Sequence, residues 1–229
     1  MGLDWNPLGK PKPGYEEEFA SIFQQLGESS NWGWLEKRRR RREGRDHEGL
    51  HKRWSEIEIR PHETVGAPQV GSNAEADAWA RKRYKELQAA EEPELPESES
   101  EFMQQMQGGY VLALAPPCDG FPYYSNWTLG YCDRFSFRAE FLRDCEELIP
   151  EKTFSKCYES CLAPGLAVLG QELRDCATSY ARAKQLEHIE FVTEGFEADS
   201  PEKKLHILYS AARWCEYWSS RGHGMESDW

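Results

Sequence analysis

The stretch Ser200-Pro201-Glu202-Lys203-Lys204-Leu205-His206-Ile207-Leu208-Tyr209-Ser210-Ala211-Ala212-Arg213-Trp214-Cys215-Glu216-Tyr217-Trp218 decides the fold. Ser200 offers a hydroxyl to the unpaired N–H groups of a first helical turn, and Pro201 brings the fixed φ of a first helical residue. Beyond them Leu205, Leu208, Ala212 and Cys215 step by three and four along one face, with Tyr209 and Trp218 beside it. Working back along the chain, Leu166, Leu169, Leu173, Cys176, Tyr180 and Ala183 repeat that step over a second long helix. Phe154, Cys157, Tyr158 and Cys161 mark a third helix ended before Pro164, and Phe137, Phe141, Cys145 and Leu148 a fourth ended by Pro150. Four helices with short connections predict an antiparallel carboxy-terminal bundle.

The amino-terminal part reads differently. Residues 1–100 hold 30 apolar residues, and the remaining 129 hold 59, so the core must come mostly from the second part. Residues 3–14 are rich in Pro and Gly and predict an extended arm. Tyr15, Phe19, Ile22, Phe23 and Leu26 predict a short helix, with acidic residues in its favourable first turn and Gly27 as its stop. Residues 28–53 predict a charged helix or a loop, and residues 54–59 a strand ended by Pro61. Ser72 or Asn73 caps a helix carrying Ala76, Trp79, Ala80, Tyr84 and Leu87. The acidic, proline-punctuated residues 91–101 predict a linker or a solvated excursion. Residues 110–115 predict a short buried strand. The expected fold is therefore α+β and mainly α, with a small strand pair and long irregular amino-terminal segments. It is read as one domain over 1–229, with a charged, less hydrophobic part at 1–100 and a helical core part at 101–229.

Forty acidic and 28 basic residues leave a net charge of −12, and no apolar run approaches the length of a membrane span. The first residues show neither a basic n-region nor an apolar h-region, so the expected location is the cytoplasm. Seven cysteines, an odd number, are then expected to be reduced. The charge is uneven: residues 37–60 carry ten basic and five acidic side chains, whereas 86–101 carry seven acidic and no basic one. The run Lys37-Arg38-Arg39-Arg40-Arg41-Arg42, with Trp32, Trp34 and Trp54 nearby, has the makings of a phosphate-tracking, base-stacking surface.

The sharpest chemical string is His47-Glu48-Gly49-Leu50-His51. On a helix the two imidazoles stand one turn apart on one face, able to hold zinc while Glu48 activates a water. Over those five residues the pattern resembles zincin metallopeptidases. Trp54 and Ile57 stand where a longer version of that motif has Gly and a third His, so a third ligand must come from elsewhere, and Glu75 on the helix at 72–90 is the candidate. A second candidate surface is the loop leaving residue 115, where Cys118, Asp119, Tyr123, Tyr124, Asn126 and Trp127 offer aromatic and polar contacts to a ligand or partner.

Three functions follow. The expected one is a non-enzymatic soluble cytoplasmic interaction module without a cofactor, an acidic and aromatic surface that engages another protein as small inhibitor or immunity-type proteins engage basic targets. The alternative is a zinc-dependent hydrolase built on His47, His51 and Glu75 with Glu48 as its base. The second alternative is a nucleic-acid-associated protein using Arg38, Arg39, Arg40, Arg41 and Arg42, set behind the others by the net charge.

Overall fold

In a computed structural model, residues 2–28, 39–41, 43–44, 46–93, 95–115, 135–191, 196–197 and 199–229 are described. The fold is α+β and mainly α. The chain divides into two compact units, Leu8–Pro61 and a larger one made of Met1–Pro7 with His62–Trp229.

The smaller unit is built on α1 (Glu16–Glu28) and α2 (His47–Ile57), joined to a two-residue ribbon of β2 (Lys10–Pro11) and β3 (Glu58–Ile59). Helix α1 runs through Gly27 rather than stopping there. Phe19 and Ile22 of α1 and Leu50 and Ile57 of α2 are buried, and the Phe19 and Trp54 rings lie 3.7 Å apart. The strand expected over 54–59 is therefore mostly helix. Leu50, Trp54 and Ile57 fall at i, i+4 and i+7, so one helical face buries Leu50 and Ile57 and half-buries Trp54, and Glu58 and Ile59 pair across to Pro11 and Lys10. The short strand β3 does end before Pro61, which opens the short helix α3 (Pro61–Val65), as its fixed φ and missing N–H allow.

The larger unit is organised by α7 (Ala163–Lys184) and α8 (Pro201–Ser219). Ser200 caps α8 as its sequence predicts, its Oγ accepting from Lys203 N at 3.1 Å. Leu166, Leu169, Leu173, Ala177 and Ala181 form the buried row of α7, each large side chain contributing about 1.5–3 kcal/mol by leaving water. Cys176 and Tyr180 lie at its half-buried margin and Ala183 is exposed. The helices run antiparallel, since Cys161 just before α7 bridges Met225 just after α8; Gly170 packs against Cys215, and the long Arg174 side chain reaches Glu216. A Cβ at Gly170 would lie 2.8 Å from Cys215 Cβ, so glycine sets how closely the two axes approach. Helix α8 is buried almost all round, His206, Ile207, Ser210, Ala211 and Trp214 included, which makes it the central element.

The other two helices of the expected bundle are shorter. Residues Ala139–Leu148 form a 3-10 helix with Ala139, Leu142 and Cys145 buried, and α6 covers only Glu151–Lys156. Cys157 caps α6, and Cys161 lies beyond it in a bridge to Met225, so these two cysteines do not share a helical face. Strand β1 (Asp4–Pro7) pairs antiparallel with β4 (Met225–Asp228), and single bridges to Phe137 and Cys161 extend the ribbon on both sides. Trp5 is fully buried there, stacked 5.2 Å from Phe137 and donating from Nε1 to Cys157 O at 2.8 Å.

A second cluster joins α4 (Ala74–Ala89) to α5 (Glu99–Gln105), with Ala76, Ala80, Tyr84, Leu87 and Phe102 buried. Asn73 caps α4 as expected, accepting from Glu75 N and Ala76 N. The acidic segment before α5 is folded back: Tyr84 donates its hydroxyl to Pro96 O and Glu97 O, and Ser98 caps α5. Residues 110–115 form no strand. Tyr110 makes one bridge to Gln69 and Leu112–Leu114 turn into a 3-10 helix, because an apolar run this short buries equally well in either form.

Candidate functional site

The HExxH string sits where helical spacing places it. Asp46 caps α2 by accepting from Gly49 N at 3.2 Å, which fixes the first turn and starts the helix at His47. His47 and His51 are exposed, one turn apart, with their Nε2 atoms 3.3 Å from each other. Glu48 is exposed and Leu50 buried. Glu75 belongs to the other unit, in the first turn of α4. Among the described residues, no group of three His, Cys, Asp or Glu side chains is placed to hold a metal ion.

Beside the string lies a cleft of about 140 Å³. Glu18, Ser21, Ile22 and Gln25 of α1 line one wall at i, i+3, i+4 and i+7, and Gly49, Leu50 and Arg53 of α2 line the other, with Gly44 at the end. Arg53 grips Glu18 with Nε and Nη2 at 2.8 and 2.9 Å, and its guanidinium lies over the Tyr15 ring at 5.4 Å. That hydrogen-bonded fork holds the Glu18 carboxyl below its ordinary value. Pockets for whole small molecules run to about 300–1,000 Å³, so this cleft has room for a single side chain.

The basic run and the aromatic loop are only partly described. Of the run, Arg39, Arg40 and Arg41 are described, and Arg40 Nη1 donates to Gln25 Oε1 at 2.8 Å. Trp32, Trp34, Lys37, Arg38 and Arg42 lie outside the described residues, as do Cys118, Asp119, Tyr123, Tyr124, Asn126 and Trp127.

An acidic and aromatic surface missed by sequence reasoning is formed by the β1–β4 ribbon. Trp5 and Met225 face the core, so the alternate residues Asp4, Asn6, Glu226 and Asp228 share the opposite face. Asp4 stands directly across from Asp228 and Asn6 across from Glu226. Two carboxylates opposite each other repel, and Arg138 Nε, 3.3 Å from Asp4 Oδ1, offsets part of that charge. Next to Asp228, Trp229 is 70% exposed. Its ring meets Tyr158 edge-on at 6.1 Å and Tyr158 meets Phe154 at 5.7 Å, giving a row of three aromatic rings. Its local signal is weak, since the pairing joins segments at opposite ends of the numbering.

The described cysteines are free thiols. Burial pushes Cys145 and Cys157 up to about 12 and Cys161 up to about 11, and Cys215 is raised as well. They stay protonated at neutral pH and pack as small apolar groups. No helix among the described residues is long and apolar enough to cross a membrane. In comparisons with known proteins, no family model, curated protein or solved structure matches the chain.

Proposed function

We propose that the chain is a non-enzymatic protein-interaction module that presents an acidic, aromatic surface to a basic partner. The observation that carries this reading is the β1–β4 ribbon, whose outer face holds Asp4, Glu226 and Asp228, with the exposed Trp229 following at the strand's end; among the described residues, Arg138 pairs with Asp4. Tryptophan is prominent among residues that anchor interfaces, because it buries a large rigid area on contact. Carboxylates around such an anchor speed the approach of a positively charged surface and disfavour acidic competitors. The net charge of −12 acts in the same sense.

The full chain, immobilised on beads, serves as bait in native lysate, and any recovered protein is then purified and titrated against it. The expected partner is stoichiometric, basic and released by salt, since ion-driven contacts weaken once the Debye length falls to about 3 Å near 1 M salt. Trp229→Ala and the pair Glu226→Gln with Asp228→Asn each weaken binding at least tenfold. Recovery of no stoichiometric partner, or of one that binds these variants as tightly as the wild type, overturns the reading.

A further inference from the structure

We propose that His47 and His51 form a bidentate surface site for a divalent metal ion of the zinc class, completed by water. The inference stands on the smaller unit alone and does not depend on the ribbon face. Two ring nitrogens about 2.0–2.1 Å from a tetrahedral metal ion lie about 3.3 Å from each other. The Nε2 atoms of His47 and His51 are 3.3 Å apart, with ring centroids at 4.4 Å and planes at 54°. The two nitrogens therefore already stand at the spacing of two corners of one tetrahedron, and the exposed rings need only turn about their side-chain torsions, from centroids 4.4 Å apart to about 5.2 Å, to aim both lone pairs at one ion. Both rings are exposed, so water can occupy the remaining corners and the ion need not shed its full hydration shell.

The support beneath the rings is ordered. Asp46 holds the first turn through Gly49 N, and a Cβ at Gly49 would strike Gly44 O at 2.0 Å, so the chain entering α2 is seated closely against that turn. Ser55 Oγ donates to His51 O at 3.1 Å on the turn that follows. In the metal-free pair, one Nε2–H donates to the other ring's Nε2. In the bound pair both Nε2 lone pairs go to the ion, and both neutral rings carry their proton on Nδ1. The carboxylates of Asp46 and Glu48, next to His47 in sequence, temper the unfavourable meeting of a cation with a helix N-terminus. Gly49 and Leu50, which line the cleft, lie between the two ligands, so the ion would staple the turn that forms one cleft wall.

Zinc sulfate alone is the probe, added to the full chain purified without a polyhistidine tag and followed by calorimetry and by imidazole nitrogen NMR. The expected result is one equivalent bound, with the Nε2 signals of His47 and His51 moving together and saturating at one-to-one. His47→Ala and His51→Ala each weaken that binding at least tenfold, and far-UV circular dichroism stays unchanged because alanine is a strong helix former at an exposed site. Glu48→Gln, which removes one of the two tempering carboxylates, weakens binding by about twofold to fivefold, short of the loss in the histidine variants. Zinc that moves neither imidazole, or that binds the alanine variants as tightly as the wild type, overturns the proposal; thiol ligation elsewhere in the chain would give the second of these.

Discussion

Replacing Gly170 with alanine sets two effects of opposite sign against each other at the closest approach of α7 and α8. In a helix interior alanine is favoured over glycine by about 0.8–1.0 kcal/mol. Against this, the new methyl would lie 2.8 Å from Cys215 Cβ. Carbon atoms in contact sit about 3.5–4.0 Å apart, so the helices must part locally by roughly 1 Å. Forcing an extra carbon into a packed core costs about 1–3 kcal/mol. The central values leave a net loss of about 1 kcal/mol, or a fall in midpoint temperature of about 2–4 °C for a chain of this size. Urea unfolding followed by tryptophan fluorescence measures the change, since Trp214 and Trp218 lie in the affected core. Gly27→Ala is the control: it sits in α1 with nothing within 4 Å of an added Cβ, so propensity acts alone and hydrogen exchange in α1 should slow. If Gly170→Ala stabilises the larger unit, the close approach of α7 and α8 does not constrain that position and the packing argument fails.

Trp5→Phe keeps an aromatic ring in the core but removes one of the two donors to Cys157 O, leaving Ser227 Oγ at 3.2 Å, so the lost bond should lower stability by about 0.5–1.5 kcal/mol; an unchanged urea midpoint would contradict the bond. Glu172 is held below its ordinary value near 4.5, first by its hydrogen bond from Lys156 and then by Thr153. A carboxylate depressed on folding adds stability that is present above the unfolded value and lost as pH falls through the folded one, so Glu172→Gln should flatten the loss of stability below about pH 5. An acid-unfolding curve of unchanged slope would refute that pairing. Native Cys145, Cys157 and Cys215 should resist alkylation at pH 8 and react fully in urea, because burial keeps them as thiols. Rapid native labelling of any of the three, located by mass spectrometry, would show that the core opens.

The long helices were legible because their signals are local. Ser200 and Pro201 mark the start of α8, and the steps from Leu166 to Leu173 depend on nothing distant. Helix α2 carried such a signal too, in the spacing of Leu50, Trp54 and Ile57. The alternation of Ile57, Glu58 and Ile59 competed with it, and burial against Phe19 decided in favour of the helix. The full burial of α8 was hidden by His206 and Ser210, polar residues that a one-face reading assigns to solvent. The His47–His51 pair needed only a spacing of four and could be read directly. The face of Asp4, Glu226 and Asp228 could not, because no residue near Asp4 announces a partner at Asp228.

The pairing of β1 with β4 sets an order on how the polypeptide can mature as it is made. Asp4–Pro7 leave the ribosome roughly 220 residues before Met225–Asp228, an interval of about 10–40 s at ordinary elongation rates of about 5–20 residues per second. Throughout that time Trp5 lacks both its strand partner and the Trp214 side of its pocket. The residues of Leu8–Pro61 are contiguous and can collapse during this interval, whereas the larger unit closes only when its last strand arrives. Nascent chains halted before residue 225 should therefore expose Trp5 to chaperones and proteases while the smaller unit is already protected.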